Sequence, residues 1–180
     1  LGITPAGDME QAVGSVKGAL KAQGFEEAGS VMPYPGATIV VVTSPELKAV
    51  AAKSERGGFG AALRVAVTDV KGKLQVSYTN PVYMANAYRM AADLKDVAAK
   101  IEAALGKGEA FGAKGLTAAK LRKYHYAPMM EYFDDPSVLA EYASYDEAVK
   151  AVEAGLAAGK AGVTKVYRVD VPGKPESVFR

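Results

Sequence analysis

His125 is the one histidine in 180 residues, and it stands between two tyrosines in Tyr124-His125-Tyr126. An imidazole so placed can act as a general base or ligate a metal or haem. A zinc site would need several carboxylates beside it, and no His-x-x-x-His or Glu-x-x-His spacing occurs. Strand-like alternation puts the tyrosines on one face and His125 on the other, so a structural or surface histidine is the reading carried forward. Met84, Met90, Met129 and Met130 supply thioethers that suit copper(I) with an imidazole. Without a Met-x-Met or Met-x-x-Met cluster, core filling explains them better. Glu131, Asp134 and Asp135 beside Tyr132 and Phe133 offer paired carboxylates for acid–base or hard-cation work. Asp135 precedes Pro136 and is expected to cap a helix, which leaves Glu131 and Asp134 solvated and too few for a cation cage. No metal or cofactor is therefore assigned.

The tyrosines carry more weight. Tyr78, Tyr83 and Tyr88 gather around Asn80-Pro81, and Tyr124, Tyr126 and Tyr132 gather some forty residues on. A large apolar ring with one hydrogen-bonding tip suits pockets and subunit contacts alike. If the clusters meet, their junction is a place for a small ligand; an aromatic interface with no ligand is the competing reading. The glycine-rich pieces Gly57-Gly58-Phe59-Gly60 and Gly106 through Gly115 match neither a P-loop nor a dinucleotide fingerprint, and read as loops.

The elements that must position these residues announce themselves at their starts. Ser44-Pro45, Asn80-Pro81 and Asp135-Pro136 each set an N-cap before a proline, whose missing N–H costs nothing at the first helical position. Asp8 with Gln11 and Ser144 with Glu147 have capping-box spacing. The spacing predicts a helix over Met9–Gln23 stopped by Gly24, a buried strand over Ala37–Val42, and a short helix over Pro45–Lys53. Leu63–Val70, Lys71-Gly72-Lys73 and Leu74–Tyr78 read as a β-hairpin. Met90, Leu94, Val97, Ile101 and Leu105 fall 4, 3, 4 and 4 apart and predict one long helix running from Pro81. Further helices are expected at Pro136 and near Tyr145, and a strand over Val163–Val171 with Tyr167, Val169 and Val171 on one face.

Hydrophobic residues at 49% and charged residues at 23% are ordinary for a soluble globular protein, so disorder is not in question. The longest apolar run is strand-sized, which argues against a membrane span. A net charge of +2 with short single-sign blocks gives no footprint for nucleic acid. Zero cysteines exclude disulfides, thiolate metal sites and a cysteine nucleophile. The compartment stays open, the cytosol preferred over the periplasm because no signal peptide is visible, although a chain starting at Leu1 allows a processed leader.

The order helix, Ile39–Val42 strand ending in Ser44-Pro45, Leu63–Val70, Gly72-Lys73 turn and Val76-Ser77-Tyr78-Thr79-Asn80-Pro81-Val82-Tyr83-Met84 resembles the domain of unknown function family numbered 302. The Val76–Met84 block is the specific part, and the likeness covers about residues 8 to 92. The resemblance implies a compact α/β fold with an antiparallel sheet that self-associates, and it brings no catalytic residues. The Ser54–Gly60 loop and the C-terminal extension depart from the family pattern.

The expectation is an α+β protein: residues 1–105 as the family-like unit, 106–116 as a glycine-rich linker, and 117–180 as a smaller C-terminal α/β unit packed on it. Its expected role is that of a non-catalytic module binding a small molecule or protein, as a homodimer, through Tyr78, Tyr83, Tyr88, Tyr124 and Tyr126. The alternative is a small enzyme with an acid–base site of Tyr78, Tyr83, His125 and Glu131.

Overall fold

The computed structural model describes residues 8–112 and 115–180. Capping places the helices as the sequence demands. Asp8, Ser44, Asn80 and Ser144 each accept a hydrogen bond from the backbone N–H three residues on, opening α1 (Met9–Ala22), α2 (Pro45–Lys53), α3 (Pro81–Ala87) and a later helix. Each such cap contributes about 1 kcal/mol. Gly24, with φ of +82°, ends α1 in the left-handed conformation that glycine adopts without steric cost.

Between α1 and α3 lies a four-stranded antiparallel meander, β1 (Glu26–Tyr34), β2 (Ala37–Thr43), β3 (Leu63–Val70) and β4 (Lys73–Tyr78), in that spatial order. The β3–β4 turn puts Lys71 and Gly72 at φ of 55° and 78°, the pair of positive values a two-residue hairpin requires. Register pairs Val40 with Val65 and Val67 with Val76, so these side chains share one face. They join a single core with Val16 and Leu20 of α1 and with Val97, Ile101 and Leu105 of α4 (Lys95–Leu105). Leu20, Leu63 and Ile101 are fully enclosed, each contributing about 2 kcal/mol through burial.

The second sheet face is covered in part by the C-terminal segment. That segment contains α5 (Ala118–Leu121), α6 (Tyr145–Ala157) and a two-stranded sheet of β5 (Arg168–Asp170) and β6 (Ser177–Phe179). Tyr167, Val169 and Val171 are buried in the same core as the N-terminal helices, while Arg168 and Asp170 point away. The architecture is α+β: an antiparallel sheet with packed helices, and a smaller C-terminal unit of a helix and a two-stranded sheet. The described residues between Gly106 and Leu116 form neither helix nor strand; residues 113 and 114 of the expected linker lie outside the described residues.

Several expectations need correction. The long helix from Pro81 is two helices. After α3, Met90 N–H donates to Ala85 O at 2.8 Å while Arg89 turns left-handed at φ of 49°, and Leu94 repeats that turn at 55° before α4. The break sends Met90 against Gly60, and Ser54 Oγ takes the freed Ala91 N–H at 2.9 Å. The apolar stripe is buried all the same, which is why its period reads as one helix. No helix forms at Pro136: the Asp135 carboxylate is engaged by Tyr132 N–H at 2.8 Å, and Val138 and Leu139 are exposed with no core to meet. The Val163–Val171 strand shrinks to Arg168–Asp170, although its alternation holds over Tyr167–Val171. Strand β1 went unseen, being an edge strand with two register shifts, a proline and exposed glutamates.

Candidate functional site

Strand β4 ends at Tyr78, and Asn80-Pro81 turns the chain straight into α3, so Tyr78 and Tyr83 emerge on either side of one corner. Helix α4 passes alongside and contributes Ala98, Ile101 and Glu102; the chain then folds back through Lys107 to Phe111 and again at Leu116. These walls enclose a cleft of about 650 Å3. Ile101 is its floor, and Phe111 and Leu116 are exposed at its rim. Tyr78 Oη donates to the Gly106 carbonyl at 3.2 Å. Burial and the Glu102 carboxylate push the Tyr78 phenol upward, the Gly108 backbone opposing them, so at neutral pH it remains an uncharged donor. The cleft is therefore mostly aromatic and apolar, with a fixed phenol and a few charges at its mouth.

A second, more open hollow of about 700 Å3 adjoins it, with Leu116 common to both. Here Tyr124, His125 and Tyr126 line the wall together with Lys120 and Lys123. Thr117 caps α5 by accepting from Lys120 N–H at 3.3 Å, and Lys123 follows one turn on, its N–H bonded to Lys120 O, so both lysines line the hollow. Tyr124 stacks on Phe133 with centroids 5.8 Å apart, and Tyr126 is 79% exposed. The His125 ring lies 4.0 Å from that of Tyr132, and its Nδ1 bonds the Met130 carbonyl. A carbonyl only accepts, so Nδ1 carries the hydrogen.

The five tyrosines named from sequence thus divide. Tyr78 and Tyr83 share the cleft, Tyr124 and Tyr126 share the neighbouring hollow with His125, and Tyr88 stacks on Phe59 at 5.6 Å away from both. Glu131 is exposed and lines neither concavity. Met84 and Met90 are core, while Met129 and Met130 are exposed rather than packed under Tyr132. Among the described residues no cluster of three or more His, Asp or Glu side chains is arranged to hold a metal ion.

Sequence reasoning missed the arrangement around Asp134. That carboxylate is buried, not solvated: Arg89 Nε reaches Oδ1 at 2.9 Å and Oδ2 at 3.1 Å, while its Nη2 reaches Asp135 Oδ1 at 3.2 Å. The guanidinium also sits 4.0 Å over the Tyr132 ring. Arg56 Nη1 adds a bond to the Asp134 carbonyl at 3.2 Å, and Arg122 Nη1 holds the Met90 carbonyl at 3.2 Å. Asp134 in turn raises the Arg89 pKa above its usual value. Arg56 and Arg89 both occupy left-handed backbone positions. Local sequence carries no signal for this clamp, because arginine is not a residue that marks positive φ and its partners lie 45 and 46 positions away.

No curated protein and no solved structure matches the chain. The family described as "Domain of unknown function DUF302" matches over residues 3–108, a wider span than the resemblance in sequence covers. That match takes in more than half of the 180 residues and includes the whole meander, α3, α4 and the first wall of the cleft, and the protein belongs to this family.

Proposed function

We propose that the protein is a non-catalytic binding module that takes a small ligand with an apolar body in the cleft between Tyr78, Tyr83 and Phe111. The cleft itself carries this reading: its volume of about 650 Å3 is in the range of small-molecule sites, and its lining includes the half-buried, neutral Tyr78 phenol. Binding is favoured over an acid–base enzyme because neither His125 nor Glu131 lines the cleft, and His125 is bonded to a backbone carbonyl. Self-association is part of the same proposal. Val138, Leu139 and Tyr142 are exposed together just before α6, none of whose residues is fully buried, and sedimentation velocity giving only monomer would remove that element.

The test is a titration with a neutral fluorescent apolar probe, N-phenyl-1-naphthylamine. Tyr83 and Phe111 are exposed at the rim, so Tyr83→Ala and Phe111→Ala leave the fold intact. Each is expected to weaken probe binding by about 1 kcal/mol. Unchanged affinity in both variants would remove the cleft as the site.

A further inference from the structure

We propose that the ligand is an anionic amphiphile, with its apolar body in the tyrosine cleft and its carboxylate or phosphate head across Leu116 on Lys120 and Lys123. This rests on the binding reading above and adds the chemical class. Three observations converge on it. The cleft and the second hollow adjoin, since Leu116 lines both, and one elongated molecule would lie across that residue. The hollow is lined by two ammonium groups, an imidazole and two phenols, and by no carboxylate. Arg89 is paired with Asp134 and Asp135, whereas Lys120 and Lys123 form no salt bridge with the described residues.

Unpaired like charges held on one short turn repel each other, and an anion between them removes that repulsion. A neutral head would leave the ammonium groups unanswered, and a cationic head would add to the repulsion. The Tyr124 and Tyr126 hydroxyls can donate to the same oxygens. The cleft end sets the other half of the specificity, because its aromatic and aliphatic walls favour a hydrocarbon or ring over a second charged group.

Decanoate, decyl phosphate, 1-decanol and inorganic phosphate, each below any micelle concentration, are compared as displacers of N-phenyl-1-naphthylamine from the full chain. Decanoate and decyl phosphate are expected to displace it at about one-tenth the concentration of decanol, two exposed ion pairs being worth about that much. The advantage should shrink in 0.5 M salt, because exposed charges are screened. The Lys120→Gln, Lys123→Gln double variant should bring both anions to the level of decanol and leave decanol unchanged. Equal displacement by decanol and decanoate in the unaltered chain overturns the inference and leaves the binding reading standing. Inorganic phosphate binding as tightly as decyl phosphate also overturns it, by showing a head site independent of the cleft. Sedimentation with phosphatidylglycerol vesicles without binding of free decyl phosphate would replace the free amphiphile by a membrane surface. Absence of any probe binding removes the cleft reading itself, a result distinct from the others.

Discussion

At the scale of single residues, the most consequential interaction is the forked hold of Arg89 on Asp134 and Asp135. The Asp134 side chain is 6% exposed and that of Arg89 32%, so the pair lies between a buried bridge and a surface one. Removing one partner of a buried pair costs several kcal/mol and an exposed pair is worth under 1, which places Asp134→Asn at about 2 kcal/mol destabilising. Arg89→Lys keeps the charge and the left-handed backbone but cannot span two carboxylates, so it should lose about half as much. Urea denaturation midpoints measure both, and an Asp134→Asn midpoint equal to that of the parent would show the clamp to be energetically idle. Glu46 supplies a pH dependence. Its hydrogen bond to Lys100, then the Glu46 backbone and Ser44, hold its carboxyl down to about 2 from the ordinary 4.5. A depressed carboxyl stabilises the fold above its unfolded pKa and loses that stabilisation as pH falls from about 4.5 through about 2. Both side chains are more than a third exposed, so after screening the contribution is about 1 kcal/mol. Glu46→Gln should flatten the stability profile in that window and leave the profile above pH 6 parallel to the parent's. At the proposed site, the strand–helix corner that brings Tyr78 and Tyr83 to one cleft was legible from the Asn80-Pro81 cap, whereas Tyr88, grouped with them in the sequence, stacks on Phe59 elsewhere. The Arg89 clamp was not legible, since nothing near Arg89 in the chain names a partner 45 residues away.

Secondary-structure elements were legible where local chemistry and burial agree. The four capped helix starts, the Lys71-Gly72 hairpin turn and the alternation over Tyr167–Val171 are decided by hydrogen bonds and periodicities spanning a few residues. The α3–α4 break was hidden because burial conserves the apolar stripe whether or not the helix continues, and the bend depends on where Met90 finds room. Strand β1 was hidden for the opposite reason: its side chains are largely exposed, so it carries no hydrophobic pattern to read. What fixes β1 instead is backbone contact. A Cβ at Gly29 would collide with the Val166 carbonyl oxygen and press on Tyr167 Cβ at 3.2 Å, so the bare backbone there is what lets the C-terminal segment lie on the sheet. Gly29→Ala should therefore lift the segment around Val166 off β1. Hydrogen exchange should rise at the amides of Val166 and Tyr167, which are bonded to Arg180 O, and at β5 and β6, with α1 and β3 unaffected. Exchange rising evenly over the whole chain, or nowhere, would contradict this local account.

For the molecule as a whole, the matched family span stops at residue 108, yet the core does not. Tyr167, Val169 and Val171 belong to the same buried cluster as the meander and its helices, and two polar ties join the C-terminal segment to the family span. Glu176 accepts from Gly58 N–H at 2.5 Å, and Lys174 Nζ donates to Ser54 O at 2.5 Å, so the loop between α2 and β3 is fastened to the C-terminal hairpin. Burial of those three side chains contributes about 5 kcal/mol, a large part of the total stability of an ordinary domain. A chain ended at Leu116 keeps every element of the matched span and exposes the surface these residues cover. Such a fragment is expected to bind a dye specific for exposed apolar surface and to unfold at least about 3 kcal/mol more easily than the full chain, or with no cooperative transition. The full chain should unfold in a single transition that tyrosine fluorescence and far-ultraviolet dichroism report alike. A fragment as stable as the whole, together with two separate transitions in the whole, would mean that residues 117–180 ride on the family domain without completing its core.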